Sequence, residues 1–249
     1  MNAKLDTGRV FERIFAVYGA QFTLLIPAAL VLFIPVALIN GLVLSGDVGV
    51  LGLLLTFVVA TVATYWYQGM VVEATRDILD GRRDHTVGSL FGSAAPFIAP
   101  LFLVGLLAAI AIAIGFVLLI VPGLILLTIW AVIVPAIVID RVGVFDSFGR
   151  SRELVRGSGW QVFGVIVVLF LLNLVLSGVV GAIAGGLSDD SFAGYAISDL
   201  VVRVLIVPLS GVAATVMYVE LRRVKGDPLP EDAAGSAPAP VPPQEPPAT

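Results

Sequence analysis

The pattern of apolar and polar positions divides most of the chain into long apolar runs separated by short charged stretches. A membrane-spanning helix needs about 20 predominantly apolar residues. Six runs meet this requirement, at residues 22–44, 50–73, 97–121, 123–139, 161–185 and 199–221. The runs do not alternate apolar with polar residues, as the strands of a membrane barrel do. We therefore predict an all-α integral membrane bundle of six helices.

The longest uncharged stretch, from Phe97 to Ile139, contains two of these helices. As a single helix it would be roughly 65 Å long at about 1.5 Å per residue, whereas the hydrocarbon core of a bilayer is only about 30 Å thick. Proline cannot continue helical hydrogen bonding, and glycine tolerates the dihedral angles of a reversal. We therefore predict that the chain turns at Pro122 and Gly123.

Basic residues are sorted to one side of the predicted helices. Apart from Arg203, every Lys and Arg lies before the first helix, between the second and third, between the fourth and fifth, or after the sixth. The remaining connections carry Asp47, Asp189 and Asp190 instead. Because cytoplasmic loops of membrane proteins are enriched in Lys and Arg, we predict that the N-terminus and the C-terminus are both cytoplasmic.

Three short segments, at residues 10–22, 86–97 and 139–161, precede the odd-numbered helices. Each is too polar to cross a membrane and too apolar for an ordinary linker. They predict three parallel repeats, each made of one interfacial helix and one transmembrane hairpin. Residues 1–226 would form this membrane domain. Residues 227–249 are rich in Pro and Ala and predict a disordered cytoplasmic tail, with or without a bound partner.

The third segment has the pattern of an amphipathic helix over residues 144–156. At about 100° per residue, Val144, Phe145, Phe148 and Val155 share one face, and Asp146, Arg150 and Glu153 share the other. Such a helix lies in the membrane interface, where long basic side chains reach the headgroups and tryptophan is enriched. The candidate lipid-headgroup contacts are Arg150, Arg152, Arg156 and Trp160.

An acid and an arginine lie together where each even-numbered helix ends. These candidate charge clusters are Glu73 with Arg76, Asp140 with Arg141, and Glu220 with Arg222 and Arg223. They fit either simple anchoring at the interface or a cytoplasmic gate or headgroup pocket. Asp199 and Arg203 lie four residues apart on the sixth helix, which predicts an intramembrane ion pair.

The composition excludes several classes of function. The chain is 59% hydrophobic and only 13% charged, whereas about a quarter of the residues of a soluble domain are charged. It has no cysteine and one histidine, His85, which excludes disulfides and sites rich in cysteine or histidine. Acids offset the arginines of residues 139–161, so we expect no nucleic-acid partner. No nucleophile–base pair is visible, and we expect no enzyme activity and no cofactor.

Polar residues also occur within the second predicted helix, in the stretch TVATYWYQGM at residues 61–70. Polar side chains in membrane helices usually form hydrogen bonds to neighbouring helices or to backbone carbonyls. The same side chains could instead line a substrate path. The sequence is consistent with both helix packing and a substrate path.

Three stretches resemble one known family, at residues 67–94, 122–164 and 207–226. The chain resembles the polytopic membrane domain fused to some bacterial glycerophosphodiester phosphodiesterases, and related stand-alone membrane proteins, over nearly all of residues 5–226. The matching positions are Pro122, Gly123, Trp130, Pro135, Asp140, Arg150, Ser151, Leu154, Gly157, Trp160, Pro208, Leu209, Tyr218, Leu221 and Arg222. The resemblance implies a multi-pass protein of the bacterial cytoplasmic membrane with a connection to lipids. It does not bring the phosphodiesterase domain, which is a separate barrel.

Two functional hypotheses follow. The first is a non-catalytic membrane module associated with membrane lipids or with partner membrane proteins, based on the arginine-bearing interfacial helices. The second is a small transporter or permease for a lipid or small solute. Its basis is the parallel repeat, the acid–arginine clusters and the prolines that would interrupt membrane helices, Pro27, Pro35, Pro135 and Pro208.

Overall fold

The computed structural model describes residues 5–46, 49–79, 86–187 and 192–227. Within these ranges the regular elements are helices, and no strand is present, so the predicted all-α fold is confirmed. The helices are α1 Thr7–Ser45, α2 Gly49–Leu79, α3 Val87–Ala94, α4 Ile98–Leu118, α5 Ile120–Ile129, α6 Ile133–Asp140, α7 Val144–Val155, α8 Gly159–Leu187 and α9 Phe192–Lys225. The predicted tail lies outside the described residues, with the exception of Asp227.

Six helical segments are long and apolar enough to cross a membrane. They are Thr7–Val43, Gly49–Ile78, Val87–Leu118, Ile120–Asp140, Gly159–Ile183 and Phe192–Lys225. Many of their large apolar side chains point outward, including those of Leu51 and Val117, which are 82% and 86% exposed. Such a surface is compatible with lipid and not with water. The chain is therefore a multi-pass membrane protein.

The first short segment, residues 10–22, is not a separate helix. It is the N-terminal part of α1, which begins where the Asp6 carboxylate accepts a hydrogen bond from the backbone N–H of Arg9 at 3.2 Å. Val10 and Ile14 are buried, so this part of α1 packs against the core instead of lying apart from it. The helix also continues through Pro27 and Pro35, which the sequence had predicted to be interruptions.

The other two short segments form helices of their own. Thr86 caps α3, because its side chain accepts from the backbone N–H of Ser89 and the Ser89 side chain accepts from the backbone of Thr86. A 3-10 turn over Ala95–Phe97 then leads into α4. The third segment forms α7. A short helix therefore precedes the membrane-spanning helices α4 and α8, as predicted.

The turn between the third and fourth spans lies at Leu119 and not at Pro122 and Gly123. Leu119 has an extended backbone, with φ −162° and ψ 148°, and α5 begins at the next residue. Pro122 lies in the first turn of α5, where its missing N–H would have had no helical partner. Gly123 allows close packing of α4 and α5, because a Cβ atom there would lie 2.6 Å from the Phe116 ring.

The fourth span is broken in its middle. Its two halves, α5 and α6, are separated by three residues in a turn, Trp130–Val132. Pro135 lies in the first turn of α6, after the break. The most extensive helix pair in the bundle is α1 with α9. Helix α9 also lies close to α2, since a Cβ atom on Gly211 would be 2.9 Å from the Val71 side chain. The charged residues at the ends of α6 and α9 meet on one side of the bundle, here called the basic end.

Candidate functional site

A cluster of four charged side chains joins α6, α7 and α9 at the basic end. The carboxylate of Asp140, the last residue of α6, accepts from Arg150 Nε of α7 at 2.8 Å and from Arg222 Nη1 of α9. Asp227, just beyond α9, accepts from Arg150 and, at 3.2 Å, from Arg222 Nη2. The two acids and two arginines therefore neutralise each other. We call Asp140, Arg150, Arg222 and Asp227 the charge cluster.

The backbone at the end of α9 positions Asp227. Gly226 has φ 67°, and the backbone N–H groups of Gly226 and Asp227 donate to the carbonyls of Arg223 and Arg222 at 3.1 and 3.0 Å. This is the Schellman arrangement that ends many helices, and it needs glycine at the left-handed position. It turns the chain back over the helix end. The Asp227 side chain is thereby brought to Arg222, whose own side chain is only 6% exposed.

Two members of the charge cluster, Asp227 and Arg150, lie outside the membrane-spanning segments. Their surroundings favour the charged form of each. Burial opposes the charge of Asp227, but its bonds to Arg150 and Arg222 outweigh this effect and lower its pKa below the usual value. Burial likewise opposes the charge of Arg150, while its bonds to Asp227 and Asp140 raise its pKa. The guanidinium of Arg222 also lies over the Tyr218 ring, 5.7 Å from the ring centroid, as in a cation–π contact.

The acids at the ends of α6 and α9 also have partners in other helices. Glu220, which is 8% exposed, pairs with Arg223 at 3.2 Å, as predicted, and with Arg13 of α1. Asp140 does not pair with Arg141. That residue is exposed and ends α6 in the left-handed conformation, with φ 53°. The Asp140 carboxylate is instead held by Arg150 and Arg222 of other helices.

The remaining predicted cluster, Glu73 and Arg76, lies near the end of α2, and both residues are partly buried. On α9, Asp199 and Arg203 form the predicted ion pair, with Nε and Oδ2 2.6 Å apart. Asn40 of α1 adds a hydrogen bond to the other Asp199 oxygen at 3.1 Å. This pair therefore joins α1 to α9 at the end of the bundle opposite the charge cluster.

Helix α7 folds back along α6 and closes the break in the fourth span. This brings Ser151 of α7 next to the end of α5. Its Oγ donates to the Ile129 carbonyl at 2.8 Å. The same hydroxyl accepts from the backbone N–H of Val132 at 3.4 Å. Within the break, Ile133 and Ala131 bond to Trp130 and Thr128 instead. Ser151 thus satisfies the acceptor and the donor that the break leaves without helical partners.

The outer side of α7 has a different character. At about 100° per residue, Phe145, Arg152 and Arg156 point in one direction, and all three are exposed. A pocket of about 560 Å³ opens here, and its lining includes Gly149, Arg152, Glu153, Arg156, Gly157 and Gly159. A Cβ atom on any of these glycines would meet nothing within 4 Å. Neither the Arg152 nor the Arg156 guanidinium forms an ion pair within the described residues. We call this the α7 pocket.

The four predicted headgroup contacts do not all face the same way. Arg152 and Arg156 line the α7 pocket, and Trp160 lies just beyond it at the start of α8, 84% exposed. Arg150 faces the other way, into the charge cluster, where it pairs with Asp140 and Asp227. The predicted apolar face of α7 is also rotated, since Phe145 is 77% exposed while Ser147 and Ser151 are fully buried.

A second cavity, of about 590 Å³, lies among the membrane-spanning helices α2, α4, α5, α6, α8 and α9. Its lining includes Tyr65 and Gln68 from the polar stretch of α2. The other polar residues of that stretch serve packing. Thr61 and Thr64 donate to carbonyls of their own helix at 2.6 and 2.7 Å, and Tyr67 donates to the Leu25 carbonyl of α1 at 2.8 Å. Tyr65 and Gln68 therefore line a cavity, whereas Thr61, Thr64 and Tyr67 form hydrogen bonds to backbone carbonyls.

Sequence reasoning missed three residues of these sites, namely Arg13, Asn40 and Asp227, and it gave Ser151 only as a position of the family resemblance. Asp227 carried a local signal, because it follows Gly226 and Gly226 follows a run of basic residues typical of a helix C-terminus. The partners of Arg13 and Asn40 come from distant parts of the chain, and the sequence has no local feature that identifies them.

Comparison with known proteins assigns the chain to a family. No curated protein and no solved structure matches it. Residues 85–221 match a family described as Domain of unknown function (DUF7847). The match includes α3 to α8 and most of α9, and thus the whole α7 pocket. Because it covers more than half of the 249 residues, the chain belongs to the family Domain of unknown function (DUF7847).

Proposed function

We propose that the chain is a non-catalytic membrane module that holds anionic lipid headgroups in the α7 pocket. One observation carries the proposal. Arg152 and Arg156 point outward side by side into a pocket, and no acid of the described residues pairs with either guanidinium. On the opposite side of the same helix, Arg150 is fully paired. The outward arginines are thus available to an anion from outside the protein.

The chemistry of the pocket favours a phosphodiester. Guanidinium groups bind phosphate oxygens through two parallel hydrogen bonds, and they lose less hydration than ammonium groups when they do so. The open glycines Gly149, Gly157 and Gly159 let a bulky headgroup approach the backbone. Glu153 also lines the pocket, but its carboxylate lies 3.8 Å from the Arg150 guanidinium, so the pocket keeps a net positive charge. This charge suits an anionic headgroup such as that of phosphatidylglycerol.

Two exposed aromatic residues support a position at the membrane surface. Phe145 and Trp160 flank the pocket and are 77% and 84% exposed. Exposed in water, such side chains would be an unfavourable apolar patch. At the level of the headgroups, aromatic rings and arginines are both enriched. The predicted association with lipids, based on the resemblance to the membrane domain of glycerophosphodiester phosphodiesterases, agrees with this position.

Native mass spectrometry of the purified protein tests the proposal. Protein exchanged into micelles with equal amounts of phosphatidylglycerol and phosphatidylcholine should retain mainly phosphatidylglycerol. The double variant Arg152→Gln, Arg156→Gln should retain at least about fivefold less, since each lost charged hydrogen bond contributes about 1.5 kcal/mol or more. The matched control, Arg9→Gln with Arg141→Gln, removes two exposed arginines of the basic end and should behave like the wild type. Equal retention by both variants would refute the proposal.

The orientation belongs to the same proposal. The resemblance implies a bacterial cytoplasmic membrane, and the sorting of basic residues favours both termini and the α7 pocket on its cytoplasmic side. A reporter active only in the periplasm should be active when fused after Asp190 and inactive when fused after Arg141. The opposite pattern would place the pocket on the outer surface.

A small transporter for a lipid or small solute is the second candidate. The observation in its favour is the cavity of about 590 Å³ among the spans, which lies in the range of ligand-binding cavities. Proteoliposomes with fluorescently labelled phosphatidylglycerol would distinguish the two functions. A transporter should move the label between leaflets faster than protein-free vesicles do, whereas a static binding module should not change that rate.

A further inference from the structure

The cavity among the spans has a lining that is mostly aliphatic and carries no charged side chain. It is separate from the α7 pocket, which is lined by other residues. An ion in the hydrocarbon region needs an opposite charge or water. The lining supplies no such charge, and a charged ligand is therefore disfavoured. Whatever occupies the cavity should be neutral.

Three polar side chains in the lining have unused hydrogen-bonding groups. Gln68 of α2 and Tyr65, one turn before it, form no side-chain hydrogen bond within the described residues. Asn173, in the middle of α8, accepts from Ser177 Oγ at 3.4 Å. Its amide N–H groups have no acceptor in the same part of the structure. All three side chains belong to the cavity lining.

Four other hydroxyl groups of α2 and α9 are satisfied by the protein itself. Thr61, Thr64 and Tyr67 of α2 donate to backbone carbonyls. Ser210 of α9 also lines the cavity, but it donates to the Val207 carbonyl at 2.9 Å. In a membrane, where water cannot replace a missing partner, unpaired polar groups are strongly unfavourable. The unpaired groups of Tyr65, Gln68 and Asn173 therefore point to a ligand with polar atoms, because a hydrocarbon chain alone would leave them unpaired.

We propose that this cavity binds a neutral amphiphile, a lipid with hydroxyl and carbonyl groups but no charge, as in a diacylglycerol. The amide N–H groups of Gln68 and Asn173 donate to the carbonyl oxygens. The ligand hydroxyl donates to the Gln68 carbonyl and accepts from the Tyr65 hydroxyl, and the aliphatic lining surrounds the acyl chains. Gly105 keeps the Tyr65 ring in the lining, since a Cβ atom there would lie 2.1 Å from the Tyr65 hydroxyl oxygen.

Photolabelling in nanodiscs tests this site with a diacylglycerol that carries a diazirine in one acyl chain. Unlabelled dioleoylglycerol should compete with the label, and the hydrocarbon squalane should not. The double variant Gln68→Leu, Asn173→Leu should lower labelling by at least about fivefold, because it removes at least two hydrogen bonds. The matched control, Thr61→Val with Thr64→Val, removes two polar groups of α2 that bond within their own helix and should label like the wild type.

The unfolding temperature separates binding from a structural role. Among the described residues, Gln68 forms no side-chain hydrogen bond and Asn173 only accepts the 3.4 Å bond from Ser177, so the leucine variant should unfold close to the wild-type temperature. The variant Arg152→Gln, Arg156→Gln should label normally, which makes this proposal independent of headgroup binding in the α7 pocket. Undiminished labelling of the leucine variant would overturn the proposal. So would equal competition by squalane, a loss of labelling accompanied by a lower unfolding temperature, or a loss of labelling in the arginine variant.

Discussion

The two sides of α7 place the same residue type in opposite surroundings. Arg150 faces inward, where Asp140 and Asp227 neutralise it and its side chain is only 22% exposed. Arg156, which caps the end of α7, faces outward and pairs with no acid of the described residues. The inner side therefore fastens α7 to the bundle, while the outer side presents charge to the surroundings. The number of arginines in a helix does not reveal this division, because it depends on where the acids lie in space.

The largest expected effect on the inner side comes from Asp140→Asn. The amide would remove the carboxylate that pairs with both Arg150 and the buried Arg222, while Asp227 would still pair with both. Breaking a buried ion pair typically costs about 3–5 kcal/mol, and because Asp227 remains we expect a loss of about 3 kcal/mol. Titration with SDS in mixed micelles, followed by circular dichroism, would measure it. Asp146→Asn is the control, because Asp146 is exposed on α7. An equal loss in both variants would show that the cluster does not hold α7.

An intermediate effect should follow from Ser151→Ala. This change removes the hydroxyl that bonds both Ile129 and Val132 at the break in the fourth span. We expect a loss of about 1–2 kcal/mol, the usual effect of leaving a buried polar group unpaired. Ser147→Ala is a close control, because Ser147 is equally buried but bonds the Val144 carbonyl of its own helix at 2.6 Å. If the same titration gave the two alanine variants equal stability, the break would not depend on α7.

The smallest effect concerns pH and Asp227. Its pKa is lower in the folded protein than in the unfolded chain, so its contribution to stability is present above the unfolded pKa of about 3.9. That contribution is lost as the pH falls through the lower folded value. Wild type should therefore exceed Asp227→Asn in unfolding temperature by a constant amount between about pH 5 and 7. The difference should shrink below about pH 4. A difference that disappeared near neutral pH would contradict the pairing.

Hydropathy alone predicts the six spans, because a bilayer imposes the same length and apolar composition on any helix that crosses it. The positions where helices break are less predictable. Proline suggested breaks at Pro27, Pro35 and Pro208, yet α1 and α9 continue through them. The observed break at Trp130–Val132 depends on Ser151, which lies in another helix and can replace the missing backbone bonds.

The charged residues show the same limit. Their sorting to one side is a property of the sequence and could be read directly from it. Their pairing could not, because the long side chains of Arg13 and Arg222 reach acids in other helices instead of the acids next to them in sequence. Asp227 was predicted to belong to the tail, but the turn at Gly226 directs it back to Arg150 and Arg222.

The most direct test of the division of α7 is electron spin resonance of spin-labelled lipids around the reconstituted protein. Wild type should immobilise labelled phosphatidylglycerol more than labelled phosphatidylcholine. Arg152→Gln with Arg156→Gln should reduce this preference to the phosphatidylcholine level. Arg150→Gln should keep the preference while lowering stability. A preference that survives the loss of Arg152 and Arg156, or disappears with Arg150 alone in the folded protein, would contradict headgroup binding by the outer side of α7.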